Sequence, residues 1–156
     1  MGAFDRTICE CCACPLQCVL ENFVGEIATI QVTPIFGGNI RIQEVKNFIL
    51  SGINLDDDNK PIFISLCDIN VVTIETTTLP DVKPIQTDKK GECACCENPM
   101  TNIANSLIGN LISITGVSST IRKVGKGVIL GQFGNEPTFL VIYSSCNASA
   151  IIVETT

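Results

Sequence analysis

The sequence predicts a mainly β protein: two tandem small β-barrel repeats, each a short helix and about five strands, behind a Cys-rich N-terminal arm. Three observations predict it. A Cys-x-Cys-Cys-x-x-Pro string is written twice, as Cys9-Glu10-Cys11-Cys12-Ala13-Cys14-Pro15 and, eighty-four residues later, as Cys93-Ala94-Cys95-Cys96-Glu97-Asn98-Pro99. Each string runs on into apolar residues at helical spacing and a glycine: Leu16, Val19, Leu20, Phe23 and Gly25 against Met100, Ile103, Ala104, Leu107 and Gly109. Each copy also closes alike, with Cys67 ahead of Glu75-Thr76-Thr77 and Cys146 at the same distance ahead of Glu154-Thr155-Thr156. Repetition of this kind governs the whole architecture.

Taken in order, residues 1–14 form the arm, with two apolar side chains, Phe4 and Ile8, and four of the ten cysteines. So short an arm cannot fold alone; it docks on something or frays. A helix is expected from about Pro15 to Phe23, since proline suits a first helical turn and Gly25 a C-terminal end. Five β-type runs follow, Glu26–Thr33, Asn39–Val45, Asn47–Ile53, Pro61–Leu66 and Ile69–Glu75. Pro34, Gly37-Gly38, Gly52 and the polar Asp56-Asp57-Asp58-Asn59 tip punctuate them. The first repeat thus covers residues 15–77, a linker with Pro80 and Pro84 covers 78–92, and the second repeat covers 93–156 with its own Cys cluster.

The second copy matches the first segment by segment. Lys46-Asn47-Phe48-Ile49-Leu50 aligns with Lys126-Gly127-Val128-Ile129-Leu130, and Asn59-Lys60-Pro61-Ile62-Phe63 with Asn135-Glu136-Pro137-Thr138-Phe139. The loop after the first strand is shorter in the second copy, and a few residues are gained before Cys146. A jelly roll or two-sheet sandwich, to which both copies contribute strands, is the alternative architecture.

Composition bounds the function. Units of roughly this size bury only about 60% of their unfolded surface and usually need staples or partners, and ten cysteines in 156 residues suit that need. The chain has no His and no Trp, which excludes imidazole chemistry. A net charge of −6 argues against a nucleic-acid backbone as partner. No apolar run reaches the roughly 18 residues of a membrane span, and the N-terminus has neither the basic start nor the apolar core of a signal peptide. A hydrophobic share of 46% with 17% charged residues describes a well-packed or self-associating protein.

The cysteines admit three chemistries. As disulfides, adjacent pairs such as Cys11-Cys12 and Cys95-Cys96 suit two different partners, on one chain or on two, because a bond between neighbours is strained. The candidates are Cys9, Cys11, Cys12, Cys14, Cys18, Cys67, Cys93, Cys95, Cys96 and Cys146. As metal ligands, Cys9, Cys12, Cys93 and Cys96 have the C-x2-C spacing of a tetrathiolate zinc site. As redox catalysts, Cys12 and Cys14 precede a helix, but no thioredoxin-like βαβ pattern surrounds them. The Asp56–Asn59 tip lacks the alternating ligands of a calcium loop and reads as a solvated hairpin. Gly37-Gly38 and Gly125/Gly127 read as turn chemistry, since no helix start follows them.

Two resemblances attach to these residues. A helix followed by about five short strands resembles the small Sm-like or SH3-like barrel; the positions with which Sm proteins hold RNA are missing, so only the fold is implied. The arm with Ile8, Cys11, Cys12 and Cys14, ahead of an all-β body, resembles the subunits of bacterial endospore appendages. More loosely, the chain is similar to Cys-rich spore coat and exosporium proteins made in the mother cell without a signal peptide. That resemblance implies a non-enzymatic structural subunit at the spore surface, without cofactor, whose partner is itself, head to tail, with other spore-surface subunits beside it. In the appendage fibres, the arm reaches into preceding subunits and its cysteines bond to their bodies. A zinc-binding module is the alternative function.

Overall fold

The computed structural model describes residues 14–32, 36–82, 98–148 and 150–154. Helix α1 (Cys14–Leu20) continues as a 3-10 turn (Glu21–Phe23), then come β1 (Ile27–Val32), β2 (Phe36–Lys46), β3 (Ile49–Asn54) and β4 (Lys60–Ser65). A second 3-10 turn (Leu66–Asp68) leads into β5 (Ile69–Glu75). Then α2 (Asn98–Ser106), β6 (Leu111–Ile114), β7 (Val117–Gly125), β8 (Val128–Phe133) and β9 (Phe139–Ser144) repeat the series, with a 3-10 turn (Ser145–Asn147) before β10 (Ile152–Val153).

The five strands expected in each copy are present, but their assembly differs from the expectation. Among the described residues all ten form one open antiparallel sheet, in the order β10-β6-β7-β8-β9-β5-β1-β2-β3-β4. No ladder closes either set of five into a separate barrel, and there is one sheet where the sandwich alternative needs two. Each half of the sheet nevertheless has the same internal order, its last strand beside its first and then the second, third and fourth.

The correspondence extends to single residues. Both second strands slip register once, between Ile42 and Glu44 and between Ile121 and Lys123. Such a bulge bends the strand where the sheet must curl. Gly25 and Gly109 both adopt φ +94°, and each donates its N–H to the residue before the bulge, Ile42 O at 2.7 Å and Ile121 O at 2.8 Å. From the bulge onward the two halves run at a constant step: Ile49 stands where Val128 does, Lys60 where Phe139 does, and Cys67 where Cys146 does. This corrects the alignment of the Asn-x-Pro-x-Phe segments, which is displaced by three residues, and that of Lys46 with Lys126, displaced by one. Phe139 matches Lys60, and no residues are gained before Cys146. A shared proline and phenylalanine misled because strand register is set by hairpin length, and both loops before these strands are equally long.

The helix faces follow the predicted spacing in the first half, where Leu16, Val19, Leu20 and Phe23 are all buried. In the second half Ala104 is buried, Met100 and Leu107 pack against the same core, and Ile103 is exposed. There Thr101 turns inward in its place, so α2 is rotated relative to α1.

Two apolar cores lie on the sheet, and they do not divide along the repeat boundary. The first gathers α1 and the inward residues of β1–β5, together with Val128, Leu130, Leu140 and Ile142 of the second half. The second gathers Ala104, Ile112, Ile114 and Ile121 with the alternate residues Ile129, Val141 and Tyr143, and takes Val71 from the first half. Strands β8, β9 and β5 are therefore covered on both faces, which is why β9 reads as the unbroken apolar run Phe139-Leu140-Val141-Ile142-Tyr143. The second half supplies the cover that a five-strand unit of this size lacks alone.

Close packing of β2 against β3 requires Gly52. A Cβ there would collide with the Arg41 carbonyl oxygen and the Ile40 side chain, and a backbone atom inside a ladder cannot step aside. Gly52→Ala is expected to destabilise the protein by about 1–3 kcal/mol, the usual cost of overpacking. Chemical denaturation followed by circular dichroism measures it, and an unchanged midpoint would contradict the packing described.

Candidate self-assembly interface

The two halves meet strand to strand. β5 pairs antiparallel with β9, Val71 opposite Tyr143, Thr73 opposite Val141 and Glu75 opposite Phe139. The ladder extends past the strand end, where the Thr76 N–H donates to Thr138 O at 3.0 Å. At the other end Asn147 clamps the junction, its Nδ2 donating to the carbonyls of Cys67 at 2.9 Å and Ile69 at 2.7 Å. The first residues of the expected linker dock here too: Pro80 is buried and Val82 packs on the first core. The Lys123 ammonium lies 3.4 Å from Pro80 O and 3.7 Å from the Asp81 carboxylate.

Beside this junction lies a buried polar pair. The Tyr143 hydroxyl donates to Val117 O at 2.9 Å and shares a hydrogen bond of 2.8 Å with Ser119 Oγ. Burial pushes the Tyr143 pKa up to about 12, against the smaller opposing pull of the Ser119 hydrogen bond.

The outermost strands carry apolar side chains in water. Phe63 on β4 is 73% exposed, and on β10 Ile152 and Val153 are 60% and 50% exposed. Lys60 heads β4, where it lies 3.4 Å from the Asp57 carboxylate on the hairpin tip. That tip is the solvated turn the sequence predicts. Asp58 and Asn59 adopt positive φ, and the Asp56 carboxylate accepts the Asn39 N–H at 2.8 Å. Gly37 and Gly38 lie within β2, paired with Gln31 and Ile30.

Of the ten predicted cross-linking cysteines, the structure places three side chains. Cys18 on α1 and Cys67 in the turn after β4 are free, exposed thiols. Cys146, in the matching turn after β9, is disulfide-bonded, and its partner is neither Cys18 nor Cys67. Cys9, Cys11, Cys12, Cys93, Cys95 and Cys96, the side chain of Cys14, and the arm contacts Phe4 and Ile8 lie outside the described residues. So does the whole tetrathiolate set; among the described residues no group of three or more potential ligands is placed to hold a metal ion. Glu26, Glu75 and Arg41 line an open cleft of about 460 Å³ over the junction, all three exposed. No helix of the described residues is long and apolar enough to cross a membrane.

Sequence reasoning missed Asn147 and the β5–β9 pairing itself. A signal for the pairing existed: β9 is continuously apolar, whereas its counterpart β4, Lys60-Pro61-Ile62-Phe63-Ile64-Ser65, carries a charge and a proline. Strands of those two kinds belong to a sheet's interior and its edge respectively. Comparison of the chain with protein-family models, curated proteins and solved structures yields no match.

Proposed function

We propose that the protein is a non-enzymatic structural subunit that assembles with copies of itself into a disulfide-cross-linked fibre or coat on a bacterial endospore. Each half is read as a small, strongly bent barrel-type unit; the identical strand order and the paired bulges support that reading. The observation that carries the proposal is the contrast between two equivalent thiols. Cys146 and Cys67 occupy the middle of matching turns; the first is bonded, the second free and exposed. The position therefore suits a disulfide geometrically, while Cys67 has no cysteine of its own chain attached. A cysteine from a neighbouring copy completes it, and the arm, with Cys9, Cys11, Cys12 and Cys14, is the segment best supplied to do so. Oxidation follows assembly: the two thiols give up two protons and two electrons to an external oxidant such as dioxygen, and the S–S bond converts a reversible contact into a permanent one.

The test is electrophoresis of the oxidised protein without and with reductant. The parent is expected to run as a ladder that thiols collapse to the single chain. Cys67→Ser should remove most of that ladder while leaving the circular dichroism spectrum unchanged. A Cys67→Ser ladder as long as the parent's would rule out this turn as the acceptor, and a parent that stays a single chain after oxidation would rule out the function.

A further inference from the structure

The internal junction is a contact between the last strand of one half and the fourth strand of the other, and both kinds of strand recur unpaired at the ends of the sheet. β10 is the last strand of the second half, β4 the fourth strand of the first, and among the described residues nothing pairs with the outer edge of either. Among the described residues these two strands end the sheet and make no ladder with each other, so both edges stay open. We infer that β4 of one copy pairs antiparallel with β10 of the next, in the register of the β5–β9 junction, joining copies head to tail through backbone hydrogen bonds. This rests on the self-assembly reading above and names the surface by which copies meet.

Transferring the register sets Glu154 opposite Lys60, Val153 opposite Pro61 and Ile151 opposite Phe63. The first is a directly opposed pair of opposite charge, favourable across two strands. The contact also covers apolar side chains at both edges, among them Phe63 and Val153, which one copy alone leaves in water. The backbone is aimed correctly. In β10 the Glu154 N–H is spent inward on Leu111 O at 2.9 Å, so by strand alternation the Val153 N–H faces the open edge.

Two substitutions make the contact between copies weaker than the one inside the chain. Pro61 stands where Leu140 stands internally, and its missing N–H removes one rung from the outward side of β4. Asp68 stands where Asn147 stands, and its carboxylate has no N–H to give the carbonyls of the next copy's Cys146 and Ala148. A pairing of this strength is reversible until thiols lock it.

Sedimentation velocity of the full chain in reducing buffer tests this, because no disulfide then contributes. The parent is expected to associate reversibly with concentration. Val153→Pro should weaken association by about ten-fold or more, since proline removes an outward donor and leaves the Glu154 bond to β6. Lys60→Glu and Glu154→Lys should each weaken it by about two- to five-fold, and the double swap should restore it. Asp68→Asn should tighten it by about two- to ten-fold, the yield of a regained hydrogen bond. A parent that stays monomeric when reduced yet forms a ladder when oxidised would overturn the edge pairing and leave the thiol-linked polymer standing. Charge variants without effect, or a double swap that fails to restore association, would overturn it as well. A parent monomeric under both conditions would overturn both readings.

Discussion

Ile142→Ala should cost about 2–5 kcal/mol and lower the stability of both halves of the molecule together. The side chain is fully buried and belongs to the first core although it lies on the second half. Truncating it leaves a cavity that close-packed neighbours cannot fill, which sets the size of the loss. The same strand carries Val141 and Tyr143 into the opposite core, so β9 cannot loosen on one face without disturbing the other. One cooperative transition is therefore expected, with the far-ultraviolet dichroism of the sheet and the fluorescence of Tyr143, the only tyrosine, moving to the same lower denaturant midpoint. Two separated transitions, with only the first-core signal displaced, would show that the halves unfold independently and would contradict the shared packing.

Tyr143 is also expected to make the protein lose stability at high pH, over a window that can be stated. Its pKa is raised to about 12 in the folded protein from the ordinary 10.0. Below pH 10 the phenol is protonated in both states and contributes no slope. Between about pH 10 and 12 the unfolded chain gives up the proton while the folded chain keeps it, so unfolding is favoured as pH rises. Above about 12 both are ionised and the effect levels off. Two pKa units correspond to a loss of roughly 2–3 kcal/mol. The measurement is the difference between the parent and Tyr143→Phe, which should lack this part of the slope. Absorbance of tyrosinate reports Tyr143 alone and should rise only near pH 12 in the native protein. A rise near pH 10 while the dichroism remains native would mean that the hydroxyl is not held as described.

How much of this was legible beforehand depended on whether the relevant force acts along the chain or across it. Local signals located all five strand runs of the first half, the helix of each half and the left-handed Gly25, Gly109 and Gly127, because apolar periodicity and φ requirements are properties of short segments, whereas Gly37-Gly38, read as a turn, lie within β2. The inward turn of Thr101 in place of Ile103 was not legible, since which face of a helix is buried depends on what it packs against. The union of ten strands was not legible from the duplication either. A repeat predicts equal units, while the way units combine depends on which edges are blunted. The clues were individual residues: Pro61 on β4 against Leu140 on β9, and the donor Asn147 against the acid Asp68. Of the candidate site, Cys67 and Cys146 were correctly singled out as equivalents, but their different bonding states follow from neighbours in space.

Because both five-strand units share one polypeptide, the proposed assembly would grow by two units at each step and never by one. An array extended by the edges of this sheet alternates two kinds of seam, the internal β5–β9 seam with its Asn147 clamp and an external one without it. Its smallest translational period is a pair of units, and a closed ring of units would have to be even-numbered. Mechanical load along such an array would concentrate at every second seam. The sites of breakage, and of thiol reinforcement by Cys67 at the end of β4, would then be spaced one whole chain apart.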